Sequence, residues 1–509
     1  MSRHPVARAA LALLVLALMT PLVTAQDLKS FEERTTVHKL ANGWTFILVE
    51  RPAAPVFAFC TIADVGSAQE VPGITGLAHM FEHMAFKGGP KIGSRDWAAE
   101  KKALEAVESA YQALQTERLS PRPDPQKVEK LLAELRARQQ EASRHIDENG
   151  FDAILSREGA DGLNATTDAD ATRYFYALPS NKLELFAFLE SERFLHPVFR
   201  EFYQERDVVQ EERRMSETSP IGKLLDEFQS AAFQAHPYKQ PIVGYMSDLQ
   251  SFTATDAQKF FDTYYAPSNL ITVLVGDIRP ATAIPVLEKY FGRIPARPGP
   301  PPLRTVEPPQ EAEKIVVMEN DAQPMYLEGY HKPANNHPDQ AVYDAIDSIA
   351  SRGRTSRLYR SLVRDKKLAF QVGSFSGFPG VKYPNLWIIF AMPAYGVTNE
   401  QVQEAARAEI ERLKTEDVTD EELARFKTRA KADLLRAMRD NLTLADLLAD
   451  HHRLYGDWRE LFRYIDRLDK VTKADIRRVA NETFRKGNRT VAMSVTRPAA
   501  TETTKEKTR

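Results

Sequence analysis

The sequence contains one pattern twice, and this internal repeat constrains the fold more than any other feature. Residues 253–256 (TATD) open a helical pattern that is followed by the apolar run 270–275, and residues 472–475 (TKAD) open another that precedes 490–495. Thr is a natural helix N-cap and Asp suits a first helical turn, so each copy has a local cause. The acids of the two copies lie 219 residues apart, which predicts a duplicated domain.

The predicted fold class is α+β, with two homologous α/β-sandwich domains in a chain of 509 residues, because a chain of this length exceeds one ordinary domain. The Pro-rich stretch that begins at residue 294 reads as a semi-extended linker. The predicted organisation is a signal peptide (1–25), a first domain (26–293), a linker (294–312), a second domain (313–497) and a disordered polar tail (498–509).

The N-terminus has the pattern of a cleavable signal peptide. Arg3 and Arg8 form a basic region, residues 9–19 are apolar, and 23–25 (VTA) is a small-residue cleavage site. We therefore expect an exported protein, periplasmic or secreted, without stable membrane insertion, because the apolar run is too short to span a bilayer. A formal net charge of -2 gives no reason to expect nucleic acid as a partner.

Several local patterns predict individual elements of the first half. Asn42-Gly43 is a turn signal inside a hairpin over 36–62, and Cys60, the single cysteine, reads as a buried strand residue. Residues 96–149 are rich in Ala, Glu, Lys, Arg and Gln, with a Pro-rich break at 120–125. They predict an inserted, protruding antiparallel helical hairpin, with His145 solvated near its end.

The segment 76–89 (GLAHMFEHMAFKGG) contains the pattern H-x-x-E-H at His79, Glu82 and His83. On a helix the two His lie one turn apart on one face and can converge on one metal ion. Glu82 projects beside that face, where it can accept a proton from a water molecule.

The alternative interpretation of this segment is an amphipathic core helix, because Leu77, Met80, Phe81 and Met84 are apolar. Two His and one Glu would, however, be costly to bury without a partner.

Further candidate residues lie downstream of this segment. Residues 162–167 and 172–176 read as two strands, and 202–216 reads as a helix with an acidic face that contains Glu205, Glu211 and Glu212. Most charged helix faces are simply solvated, so each acid alone carries little weight. The second half has no H-x-x-E-H pattern, and the adjacent His451 and His452 cannot chelate one ion from a helix.

The motif in 76–89, followed by GLNATT at 162–167 and ERDVVQEE at 205–212, closely resembles the pitrilysin/insulinase family of zinc metallopeptidases. The resemblance implies a clamshell-like pair of domains and one Zn²⁺ per chain. It implies that His79, His83 and Glu212 are the metal ligands and that Glu82 is the general base. Glu205, seven residues before Glu212, would be a supporting acid, and Glu211 is the main rival of Glu212.

The same resemblance implies that a peptide substrate adds as an extra strand beside Asn164 and Ala165. Two departures from the family pattern are visible. The interval from His83 to Glu212 is 129 residues, longer than is usual in the family, and the hairpin 96–149 accounts for the excess. Arg364 matches a family Arg that holds the substrate carbonyl, but Phe370 stands where the family has a Tyr, and a Phe cannot donate that hydrogen bond.

The resemblance implies a zinc-dependent endopeptidase that hydrolyses peptides or unfolded polypeptides. Phe370 leads to the further hypothesis that a homologous sister subunit supplies the Arg/Tyr pair while this chain supplies the zinc. The expected partners are a peptide substrate and either such a sister subunit, in a heterodimer, or a second copy of this chain, in a homodimer. The alternative is a non-catalytic, zinc-bearing subunit that binds peptides or assembles complexes.

Overall fold

The computed structural model describes residues 28–147 and 150–497. The predicted signal peptide (1–25) and the predicted disordered tail (498–509) lie outside the described residues.

The described part of the chain is a mixture of helices and strands, in agreement with the predicted fold class. Its strands are β1 (Thr35–Lys39), β2 (Thr45–Glu50), β3 (Val56–Ala63), β4 (Asp161–Thr167), β5 (Thr172–Pro179), β6 (Leu270–Gly276), β7 (Lys314–Asn320), β8 (Met325–Lys332), β9 (Ala369–Phe378), β10 (Asn385–Pro393) and β11 (Arg489–Thr496).

The helices of the first half are α1 (Leu28–Glu32), α2 (Leu77–His83), α3 (Trp97–Arg118), α4 (Pro125–Ser143), α5 (Gly150–Arg157), α6 (Leu183–Leu195), α7 (Phe202–Thr218), α8 (Pro220–Ala232), α9 (Met246–Leu249), α10 (Ala254–Tyr264) and α11 (Pro280–Phe291). Those of the second half are α12 (Gln340–Ser351), α13 (Asn399–Thr415), α14 (Asp420–Ala437), α15 (Asn441–Tyr455), α16 (Glu460–Lys470) and α17 (Lys473–Thr483).

The strands form two sheets with related orders. The first is β1-β2-β6-β3-β5-β4 and the second is β7-β11-β8-β10-β9. Strands β6 and β11 each follow one copy of the repeated helix. In the first sheet β6 pairs with β3 in antiparallel register, and in the second sheet β11 pairs with β8 in the same way. Strand β4 is an edge strand of the first sheet, with a single partner, β5.

The repeat found in the sequence is confirmed at its two helix starts. Thr253 and Thr472 each accept the backbone N–H three residues ahead, and Asp256 and Asp475 bond back to the capping residue. These reciprocal capping boxes fix where α10 and α17 begin. The hairpin around Asn42-Gly43 is also confirmed, since β1 and β2 pair from Thr35 with Val49 to Lys39 with Thr45.

One helix of each half packs on the sheet of the other half. Leu224 and Phe228 of α8, from the first half, share a buried cluster with Leu327 and Ile388 of the second sheet. Conversely, α15 of the second half packs on β3 and β6, and its Leu448 lies in a cluster with strand residues of the first sheet. Each half therefore contributes a helix to the hydrophobic core of the other half. Cys60 is buried in the cluster that contains Leu448.

The helical hairpin predicted at 96–149 is present as α3 and α4. It is not simply a protruding arm, however, because Tyr111 of α3 is fully buried and stacks on Tyr203 of α7 with ring centroids 4.1 Å apart. Helix α4 is largely exposed, and its buried residues are Leu135 and Ala142. None of the helices in the described ranges combines the length and the apolar character that crossing a membrane requires.

Candidate metal centre

The short helix α2 and the long helix α7 bring together three side chains that the sequence separates widely. His79 and His83 lie one turn apart on α2, and their ring centroids are 4.8 Å apart. Glu212 of α7 faces both: its Oε2 is 3.7 Å from His79 Nε2 and its Oε1 is 3.4 Å from His83 Nε2. The structure thus brings together the three residues predicted as metal ligands.

This donor set fits a zinc ion. One ligand atom from each of His79, His83 and Glu212 can be chosen so that all lie within 4.8 Å of one another. Zinc takes imidazole and carboxylate ligands at about 2.0–2.2 Å in tetrahedral geometry. Adjacent ligand atoms are then about 3.4 Å apart, close to the 3.7 Å and 3.4 Å that separate Glu212 from His79 and His83.

The three acids of α7 that the sequence offers as candidates have different surroundings. Glu211 is exposed and pairs with Arg214 at 2.7 Å, so it points away from the two His. Glu205 lies on the face of Glu212, with its Oε2 3.5 Å from His83 Nδ1. A carboxylate at Nδ1 turns the Nε2 of the same ring toward Glu212, an arrangement that orients many metal-binding His side chains.

A lysine that the sequence reasoning missed holds this supporting acid. Lys87 Nζ lies 2.6 Å from Glu205 Oε1 and 2.9 Å from Glu201 Oε2. Lys87 follows His83 by four residues in the segment AFKGG, and that spacing was the available signal. A polar chain therefore runs from Glu201 through Lys87 and Glu205 to His83.

The electrostatic surroundings of the two His differ. Burial, with a smaller contribution from His83, lowers the pKa of His79 to about 4, so its ring is neutral, as a metal ligand must be. Burial alone would lower the pKa of His83, but the carboxylates of Glu205 and Glu212 offset it, and its pKa lies above the usual value.

Glu82 lies beside the ligand set and is linked to the edge of the first sheet. Burial raises the pKa of its carboxyl, against hydrogen bonds from the side chain and backbone of Thr167. Thr167 is the last residue of β4, the same edge strand that carries Asn164 and Ala165. Asn164 is exposed, and its side chain accepts a hydrogen bond from the backbone N–H of Ala165 at 2.9 Å.

The start of α2 is fixed by buried groups that the motif did not reveal. The carboxylate of Glu70, which is 2% exposed, accepts the backbone N–H groups of Gly76 at 2.8 Å and Ala78 at 2.7 Å. Gly76 has a φ of 95°, and a Cβ there would meet the carbonyl oxygen of Val243 at 2.5 Å. Only glycine fits this approach, so the entry to α2 is held rigidly.

The remaining two candidates lie in the second half. The guanidinium of Arg364, within a π-helical turn at Tyr359–Asp365, pairs with Asp365 at 2.6 Å. Phe370 follows on β9 and is 51% exposed.

Comparison with known proteins identifies the family to which this chain belongs. The family model described as insulinase (peptidase family M16) matches residues 46–135 and 139–245, and the model of the peptidase M16 inactive domain matches 251–430. The zinc protease PqqE of Helicobacter pylori is 30% identical over 433 residues, which cover 83% of each chain. The chain therefore belongs to the insulinase-like M16 peptidase family.

Solved structures agree with this assignment. A protease from Helicobacter pylori matches with a TM-score of 0.75 and 27% identity, over 91% of this chain and 99% of that one. An M16 inactive-domain protein from Pseudomonas fluorescens matches with a TM-score of 0.71 and 17% identity, over 91% and 98%. The second match bears on the fold alone: two M16-like domains in a duplicated, clamshell-like arrangement.

Proposed function

We propose that this chain is a zinc-dependent endopeptidase that hydrolyses peptides or unfolded polypeptides. The observation that carries the proposal is the convergence of His79, His83 and Glu212, with Glu82 beside them and hydrogen-bonded to the end of an edge strand. Two imidazoles and one carboxylate form a donor set that leaves a fourth zinc position open, as in catalytic zinc sites.

In this proposal the side chains have separate roles. His79, His83 and Glu212 would hold one Zn²⁺ per chain, and Glu205 would orient His83. The bound ion would supply a Lewis acid that polarises the scissile carbonyl and makes water acidic near neutral pH. Glu82 would accept the proton of the attacking water at a carboxylate oxygen and then donate it to the leaving amine.

The substrate would bind along β4. An edge strand has backbone N–H and C=O groups available to an extended peptide, which then adds as a further strand. Asn164 and Ala165 would lie at this strand contact, and Thr167 would link it to Glu82. Main-chain recognition tolerates varied side chains, and this favours unfolded substrates.

The proposal is tested by two variants measured for both activity and metal. Glu82→Gln should retain zinc and lose activity by about 10²–10⁴-fold, because general acid–base catalysis contributes that much. His79→Ala should lose the metal itself. Cleavage of a quenched peptide by Glu82→Gln at the wild-type rate would contradict the assigned role.

We further propose that the active form requires a homologous sister subunit that supplies the Arg/Tyr pair, because a second copy of this chain would also carry Phe370. The supporting observation is Phe370, exposed on β9, which lacks the hydroxyl that would hold the substrate carbonyl. Arg364 would contact substrate only as part of this arrangement. Native mass and peptide cleavage, measured with and without a homologous partner, test it; full activity of a monomer with unchanged activity in Arg364→Ala would refute it.

A non-catalytic, zinc-bearing subunit is the second candidate function. Phe370 and the match of residues 251–430 to the inactive-domain model favour it. A chelator-sensitive peptidase assay separates the two, because only the enzyme would lose a measurable rate when zinc is removed.

We also propose export to the periplasm, on the basis of the signal-like residues 1–25. N-terminal sequencing of the mature protein, which we expect to begin at Gln26, tests this proposal.

A further inference from the structure

A cavity of about 580 Å³ lies between the helical hairpin and the outer face of α7. Three Arg residues line it, each from a different helix: Arg118 at the end of α3, Arg136 on α4 and Arg206 on α7. Asp207 is the one carboxylate among the lining residues. A chain with a net charge of -2 thus concentrates positive charge in this pocket.

Arg206 forms the fixed base of the pocket. It is 6% exposed, and its guanidinium lies over the rings of Tyr111 and Tyr203 at 4.5 Å and 5.0 Å. Its Nη1 donates to the Tyr111 hydroxyl and to the carbonyl of Phe252. Its Nε is buried and has no hydrogen-bond partner among the described residues, so a donor of a buried cation remains unsatisfied.

The other two cations lie at the mouth of the pocket. Arg118 and Arg136 are exposed, and neither forms an ion pair with any residue in 28–147 or 150–497. Asp207 offsets only part of this charge: its Oδ1 accepts from Gln210 at 3.1 Å and lies 4.0 Å from Arg206, so one carboxylate stands against three Arg residues.

A neighbouring cavity provides an internal comparison. It has a volume of about 540 Å³, shares Tyr203 and Gln139 with the first cavity, and lies along the same hairpin. Its charged lining is Glu105, Glu108 and Glu201 with Lys101, so its net charge has the opposite sign. The positive charge is therefore a property of the first pocket and not of the hairpin as a whole.

We propose that the pocket of Arg118, Arg136 and Arg206 binds a small organic dianion, whose charge is carried by the phosphate head of a monoester or by the two carboxylate heads of a dicarboxylate. Guanidinium groups match such heads through paired N–H donors. Leu114, Leu132 and Leu135 supply an apolar wall, and the volume exceeds that of the head alone, so the ligand carries an organic body.

The ligand would connect the hairpin to the helix of the metal centre. Arg118 and Arg136 belong to the hairpin, whereas Arg206 follows Glu205 on α7. An anion that engages all three would hold α3 and α4 against α7. This binding does not require zinc and is therefore distinguishable from peptidase activity.

The test uses the full mature protein at constant ionic strength, titrated with phenyl phosphate, inorganic phosphate or succinate in a calorimeter. Zinc content is measured before and after, so that metal loss cannot imitate binding. We expect saturable binding of phenyl phosphate or succinate, tighter than that of inorganic phosphate. The arm that binds distinguishes a phosphate monoester from a dicarboxylate.

The matched variants are Arg118→Gln/Arg136→Gln and, as control, Arg138→Gln. Arg138 is exposed on the same helix but pairs with Glu134 at 3.4 Å and does not line the pocket. The double variant should bind at least about tenfold more weakly, since two charge-assisted hydrogen bonds are lost, and the control should bind as wild type. Absence of saturable binding in every arm, or equal weakening in the control, would overturn the proposal.

Discussion

The two halves of the molecule share a sheet order but differ in the helix that follows the central strand. In the first half, β3 leads through a held loop into α2, seven residues long, which presents His79 and His83 to Glu212. In the second half, β8 leads into α12, twelve residues long, with Asp344 hydrogen-bonded to Gln340 at 2.9 Å. Among the described residues the single group suited to a metal lies in the first half.

The two halves therefore have a helix at the same position of the fold, and the side chains on that helix determine whether it can bind a metal. Burial raises the pKa of Asp344 to about 7, and the nearby cation Lys332 offsets part of this rise, so this carboxyl is partly protonated near neutral pH and already has a cation beside it. In the first half, Glu205 and Lys87 instead form a polar support behind His83.

Removing the carboxylate ligand should have the largest effect. Glu212→Gln should lower peptidase activity by about 10³-fold, or ~4 kcal/mol, together with zinc binding. Glu211→Gln, the matched control one residue away, should keep zinc and activity within about twofold, because Glu211 pairs outward with Arg214. Chelator competition and peptide cleavage measure both. Equal losses of zinc and activity in the two variants would show that Glu212 is not the carboxylate ligand.

The reciprocal packing of the halves predicts a shared loss of stability. Leu448→Ala removes a fully buried side chain of α15 from the core over the first sheet and should lower the free energy of unfolding by about 3 kcal/mol. Phe228→Ala of α8 should act similarly on the core of the second sheet. Because each half completes the other, calorimetry should show one transition that moves as a whole.

The control for this prediction is Leu435→Ala, at a site 41% exposed, which should change the free energy of unfolding by less than about 0.5 kcal/mol. Two separate transitions, with only one displaced by Leu448→Ala, would show that the halves fold independently.

Lys87→Met should weaken zinc binding by about tenfold, because groups that orient metal ligands contribute 10–100-fold to affinity. Lys87→Arg should recover part of the loss, since it restores a cation between Glu205 and Glu201. The matched control is Lys91→Met, which removes a pair with Glu192 at 3.1 Å and should leave zinc affinity unchanged. A zinc affinity of Lys87→Met equal to that of the wild type would show that Lys87 does not support the metal centre.

The smallest effect is expected in the second half. Asp344→Asn should leave zinc content unchanged and peptidase activity within about twofold, because the helix that carries it does not belong to the metal centre. Metal analysis and kinetics at neutral pH check this. A tenfold loss of activity at full zinc occupancy would show that the second half contributes to the chemistry.

Much of this contrast could be predicted from local sequence. The capping boxes at Thr253 and Thr472 and the turn at Asn42-Gly43 are local signals, and the structure has each of them. The spacing of seven residues between Glu205 and Glu212 predicted that both would face the same side of a helix, and the geometry of α7 agrees.

Longer-range features could not be predicted in this way. The amphipathic patterns of α8 and α15 show that each helix has an apolar face, but nothing in them indicates that the face covers the sheet of the other half. The hairpin was expected to protrude, whereas Tyr111 packs on Tyr203 across 92 residues of sequence. Lys87 was missed because its partners, Glu201 and Glu205, lie far downstream of it.

The most direct test of the central claim is anomalous X-ray diffraction at the zinc edge from crystals of the mature protein. We expect one anomalous peak per chain, within about 2.2 Å of nitrogen atoms of His79 and His83 and of an oxygen of Glu212. A peak at any other group, or no peak after saturation with zinc, would contradict it.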